Sequence, residues 1–134
     1  MIAGDPDITS DFIVPPSVTN VDSNFFTFTG MRILIQAPLP TAFKVTKASI
    51  AEFPALNDQS VSYAILQYPS GSVNPAHTHP RSAELLFLLD GSLQVGFVDT
   101  TNKLLLRHSK LVTCLCFQKD LYTINTIAMQ RILQ

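Results

Sequence analysis

The sequence predicts an all-β domain, on three observations. Residues 61–68 alternate strictly, with Val61, Tyr63, Ile65 and Gln67 on one side and Ser62, Ala64, Leu66 and Tyr68 on the other. Leu85 to Leu89 is a continuous apolar run that stops at Asp90-Gly91, a strong hairpin signal. No helical period is visible before residue 105. The bulk composition agrees. The chain has 134 residues, enough for one core, with 46% hydrophobic and only 14% charged residues. Its net charge of −1 and the lack of a basic run argue against nucleic acid as a partner. No apolar stretch reaches the length of a membrane span.

In chain order, residues 1–24 are polar and turn-rich, with Asp5-Pro6-Asp7 and Pro15-Pro16, and read as an extended N-terminal arm. Met1-Ile2-Ala3 is too short to be a signal peptide. The small pair Ala3-Gly4 looks like a cleavage site without its upstream part, so the expectation is either a cytosolic chain or a start near a mature N-terminus. Phe26, Phe28 and Met31 to Ile35 suggest short strands interrupted at Gly30. Pro38 and Pro40 mark a loop. Phe43 to Phe53 carries a weaker strand signal through Val45, Ala48 and Ile50, and Pro54 to Asp58 reads as a turn. After residues 61–68, Pro69-Ser70-Gly71 is a turn. Ser92 to Val98 is the return strand of the Asp90-Gly91 hairpin, and Asp99 to Lys103 is another turn. Residues 25–104 therefore form the β-domain, and 105–134 an atypical tail.

The chemistry is concentrated between Gly71 and Gly91. His77 and His79 are two apart and so share one face of a strand. Taken alone, such a pair would read as two solvent-facing strand histidines. The fuller spacing changes that: Gly71, five residues, His77-Thr78-His79, four residues, Glu84, six residues, Gly91. Two imidazoles and a carboxylate with open positions suit Mn²⁺ or Fe²⁺ better than a closed tetrahedral zinc site, and the residue types alone do not choose between them. Cys114 and Cys116, one residue apart, fit an ordinary disulfide poorly.

This spacing resembles the first signature of the cupin superfamily. The wording N-P-A-H-T-H-P-R-S-A-E, together with D-P-D-I-T-S-D-F-I-V-P, F-P-A-L-N and G-F-V-D-T-T-N-K-L, resembles the germin-like proteins of plants over residues 4–104. The resemblance implies a jelly-roll β-barrel, a manganese ion held in part by His77, His79 and Glu84, and a secreted, apoplastic homo-oligomer. It also implies superoxide dismutase-type or oxalate oxidase activity. Oxalate-oxidising members carry two asparagines near the metal. Asn74 matches one and is a candidate substrate-binding residue, though it reads equally well as a turn residue before Pro75. The other aligns with Ala64, which has no amide to offer oxalate. The N-terminal cysteine pair usual in the family is not present.

Beyond residue 104 the resemblance stops. The family's fourth ligand is a histidine in a second motif that follows glycine and P-x-G, and Thr123 stands about where it belongs. The tail contains neither glycine nor proline. Typical members read L-F-T-Q-T-L-Q-T-G-D-M-F-V-F-P-K-G-F-V-H-Y-Q-Y-N here. Codons for that stretch, read one base later, give His108-Ser109-Lys110-Leu111-Val112, then Thr113 to Asp120, then Tyr122 to Ile127. The methionine codon has no synonym, and it forces the Thr113-Cys114 junction. The tail is therefore expected to be out of frame. The barrel would be incomplete at its C-terminal side, Leu85 to Leu89 would lose strand partners, and manganese would bind only weakly. The remaining alternatives are a catalytically inactive truncated product and a non-enzymatic wall-associated binding protein.

Overall fold

The computed structural model describes residues 12–80, 82–119 and 122–129; residues 1–11 of the expected N-terminal arm lie outside them. Eight strands follow in order: β1 (Lys44–Ala48), β2 (Tyr63–Gln67), β3 (Val73–Thr78), β4 (Glu84–Leu88), β5 (Ser92–Val98), β6 (Leu104–Lys110), β7 (Thr113–Phe117) and β8 (Tyr122–Met129). Short 3-10 helices occupy Gly30–Leu34 and Pro54–Leu56, and no α-helix occurs among the described residues. The chain divides into two compact units.

The first unit comprises residues 1–38 and 45–66. Within it β1 pairs with β2. The expected strand at Met31 to Ile35 is corrected here: Gly30–Leu34 is 3-10, closed by Arg32 N–H to the Thr29 carbonyl and Ile35 N–H to the Arg32 carbonyl. The physical reason lies at Phe28. Its ring folds back over Gly30 so closely that a Cβ there would meet it at 2.4 Å. Phe28 also stacks on Phe53 and sets an edge against Tyr63. Ile33 and Ile35 are left exposed, so the β-propensity of this run finds no ladder to join.

The second unit, residues 39–44 and 67–134, holds two sheets. One has the order β3-β8-β5-β6, and the other pairs β4 with β7. Alternation along β4 and β7 turns Leu86, Leu88, Leu115 and Phe117 inward. These residues pack on Leu93, Val95 and Phe97 of β5, with Phe97 and Phe117 meeting edge to face at 6.4 Å. The core is thus a layer between two sheets, as alternating inner faces require.

The turn from β5 to β6 is tied by Asp99. Its carboxylate accepts from the Thr101 hydroxyl (2.7 Å), the Thr101 amide (2.8 Å) and the Lys103 amide (2.9 Å). The Thr101 hydroxyl, then the Lys103 amide, hold its carboxyl below the ordinary aspartate value. Its contribution is therefore present above the unfolded-state pKa and lost as pH falls through the folded one.

The tail departs from expectation. β4 does not lack a partner: Glu84 to Leu88 pair antiparallel with Phe117 to Thr113. β6 and β8 flank β5 on its two sides. An apolar sequence with strand propensity suffices to fill the ladder positions beside β4 and β5, whatever its origin. The turn chemistry does not fit as well. The β6–β7 turn is Leu111-Val112, and Val112 sits at φ 60° with its amide on the Leu88 carbonyl at 2.9 Å. A β-branched residue is poorly tolerated there. The codon reading places Val112 where the family pattern has the glycine of T-G-D. Val112→Gly is expected to stabilise the chain by about 1 kcal/mol, the relief of left-handed strain less the entropy of glycine. A raised thermal midpoint checks this, and a lowered one contradicts it.

The outer face of the β4–β7 sheet carries Leu85 (73% exposed), Phe87 (52%) and, just beyond β4, Leu89 (67%). An apolar patch of this kind favours association. Light scattering after gel filtration is expected to show multimers or aggregates. A monomer with a sharp, reversible thermal transition would contradict that expectation.

Candidate metal centre

His77, His79 and Glu84 come together in the second unit. One potential ligand atom from each lies within 4.8 Å of the others. β3 delivers His77, and His79 follows one residue past its end. Glu84 opens β4. The imidazole rings are 4.9 Å apart and nearly perpendicular, as two positions on one strand face allow.

Each side chain is oriented by local chemistry. His77 Nδ1 lies 2.8 Å from the Pro75 carbonyl. A carbonyl can only accept, so Nδ1 carries a proton and Nε2 is the ring nitrogen left to face a metal. Such a contact fixes the tautomer of a metal-binding histidine. Sequence reasoning missed this role of Pro75, because a carbonyl has no residue-type signature. Its only trace is a proline two residues before a histidine.

Glu84 faces inward on β4 with Leu86 and Leu88. A carboxylate on the core side of a strand is costly unless something compensates its charge. Its Oε2 is 3.1 Å from His79 Nε2. That approach is close enough for an ion pair, but the pair makes no hydrogen bond, and both buried atoms remain without a hydrogen-bond partner. Two ligand atoms without hydrogen-bond partners, converging beside the second imidazole, that of His77, are the arrangement a cation would satisfy. The residues present therefore fit a divalent metal of the imidazole-and-carboxylate class.

The position opposite His77 is informative. β3 and β8 pair antiparallel, with His77 registered on Thr123 and Thr78 on Tyr122. On its other side Thr123 registers on Phe97 of β5. Thr123, where the sequence pattern lacks its histidine, is thus the residue next to His77 across the ladder. Asn74 is half-buried on β3, registered on Asn125, and separated from His77 by an irregularity in the pairing. Ala64 lies in β2, in the first unit. His108 lies on β6, registered on Gln94, and is not one of the three clustered residues.

Among the described residues no helix is long and apolar enough to cross a membrane. The Cupin family model matches residues 33–122. The chain is 60% identical over 111 residues to germin-like protein 9-3 of Oryza sativa subsp. japonica, covering 78% of this chain and 52% of that protein. It is 59% identical over 109 residues to putative germin-like protein 9-2 of the same plant, covering 78% and 51%. The chain thus spans about half the length of the curated relatives it matches. Among solved structures, a recombinant oxalate oxidase in complex with glycolate aligns with a TM-score of 0.72 at 24% identity, covering 92% of this chain and 70% of that one. That likeness concerns the fold. An all-β architecture, the histidine-glutamate cluster on two of its strands and the family match over two-thirds of its residues agree: this chain belongs to the cupin family, and its similarity lies with the germin-like proteins.

Proposed function

We propose that this chain is a germin-like cupin whose His77, His79 and Glu84 hold a manganese ion, weakly, in a secreted apoplastic protein. The observation that carries the reading is the convergence of His79 Nε2 and Glu84 Oε2, both without hydrogen-bond partners, beside His77. His77 would bind through Nε2, its Nδ1 being engaged by Pro75. When bound, manganese supplies the one-electron couple that superoxide dismutation requires. The protein's part is to turn the two imidazoles toward one point and to place one carboxylate against the ion's charge.

Thr123 opposite His77 favours a second reading for the chain as it stands: a site one ligand short, too weak to sustain turnover. The three donors alone resemble the two-histidine, one-carboxylate sets that bind metals with open positions. Activity of the superoxide dismutase kind then belongs to the four-donor form. Oxalate oxidation is disfavoured by Ala64. Association of this chain would run through the exposed Leu85, Phe87 and Leu89 and be irregular, in place of the defined homo-oligomer that the family resemblance implies.

The test is metal content. The chain is loaded with Mn²⁺, dialysed and analysed, with free Mn²⁺ followed by its electron paramagnetic resonance. Saturable binding that is mostly lost on dialysis is expected, and His77→Ala should abolish it with the circular dichroism unchanged. Binding indistinguishable between the chain and His77→Ala would overturn the site. Stoichiometric manganese surviving dialysis would overturn its weakness.

A further inference from the structure

We propose that Cys114 and Cys116 form a second, chemically distinct site: a pair of thiolates that chelates one soft monovalent d¹⁰ cation of the Cu(I) class. Both cysteines are free and exposed on β7. They alternate with inward-facing Leu115 and Phe117, so they share the outer face of the β4–β7 sheet.

Spacing decides what this pair can do. Positions two apart on a strand are separated by roughly 6.6 Å. A disulfide needs Cβ atoms about 3.5–4.5 Å apart. β7 is held flat against β4 over five consecutive pairs, so it cannot pinch to reach that distance without breaking its ladder. A metal bridge is wider. With metal–thiolate bonds of about 2.3 Å, two sulfurs spanning a linear ion stand about 4.6 Å apart. The outward tilt of two cysteine side chains covers the remainder, so the strand geometry excludes the disulfide and admits the chelate.

The surroundings select the metal. The residues registered on Cys116 and Cys114 are Leu85 and Phe87, both apolar and without a donor atom. A hard or four-coordinate ion would therefore lack further ligands, whereas a digonal soft cation needs none. Soft thiolates prefer Cu(I). The Gln118 amide nitrogen, 3.7 Å from Cys116 Sγ, can donate to the thiolate. On binding, two S–H bonds break, two metal–sulfur bonds form and two protons are released. No electron is transferred.

Ag(I) is the redox-silent probe. The reduced full-length chain is titrated with silver nitrate in chloride-free buffer, with intact mass under non-denaturing conditions and proton release as readouts. One Ag(I) per chain with two protons released is expected. Cys114→Ser and Cys116→Ser should each weaken binding by roughly 100-fold, because a lone thiol loses the gain of intramolecular second attachment. Both positions are exposed, so serine is tolerated. His77→Ala should leave the silver affinity unchanged. Two Ag(I) per chain, one Ag(I) per two chains, or an affinity unaltered by a single serine substitution would each overturn the proposal. So would a two-dalton loss on diamide treatment, which would reveal an intrachain disulfide.

Discussion

Thr123→His is expected to raise manganese affinity by roughly 100-fold or more and to convert leaky binding into one ion per chain that survives dialysis. The register carries this prediction. Thr123 is paired with His77 in the β3–β8 ladder, and directly opposed positions on antiparallel strands lie about 5 Å apart on one face. A single orienting partner of a metal ligand is already worth about 10–100-fold, so a full additional donor contributes at least as much. His77→Ala in the Thr123→His background should remove the gain. Histidine at position 125, two residues along β8 and registered on Asn74 and Val95, is the control. Gain at 125 but not at 123 would show that the fourth position has been misplaced. Gain at neither would show that β8 does not flank the metal centre.

Phe117→Ala is expected to cost about 3–5 kcal/mol, the usual cost of truncating a buried phenylalanine. Phe117 is 2% exposed, contacts the cluster of Leu86, Leu93 and Val95, and pairs with Glu84 across β4–β7. Such a loss is a large fraction of a domain's stability of about 5–15 kcal/mol. Because Phe117 belongs to the tail, the variant asks whether that segment is part of the core. A change within about 0.5 kcal/mol in urea unfolding is what a surface position shows, and would contradict the β4–β7 pairing. The lost packing lies directly across the ladder from Glu84, so weaker manganese binding should accompany the loss of stability.

Local signals made some of this legible in the sequence and left other parts hidden. β5 was readable residue for residue, because Asp90-Gly91 and the Asp99 to Lys103 turn bracket it. His77, His79 and Glu84 were singled out by strand alternation and by the resemblance of their spacing to the cupin signature, and the structure brings the three together. At Met31 to Ile35 the same propensity argument failed, since neither the Phe28 ring over Gly30 nor the want of a partner strand can be seen locally. The tail shows the complementary limit. Its strand propensity was legible, but the pairing of β7 with β4 was not, because periodicity assigns faces and does not assign neighbours. Two features of the tail stand out in the structure: a valine at φ 60° in the β6–β7 turn, and Thr123 opposite His77.

The tail from about Leu105 onward is expected to encode a displaced fourth ligand, which sequencing of the transcript across the codons for Asn102 to Ile127 tests. One added base near the Leu104 to Arg107 codons is expected to restore the glycine at position 112 and the histidine at position 123, so that an intact message carries four donors. A message that reads through in the present frame, with codons that no single-base change turns into the G-D-M-F-V-F-P-K-G segment, would contradict it.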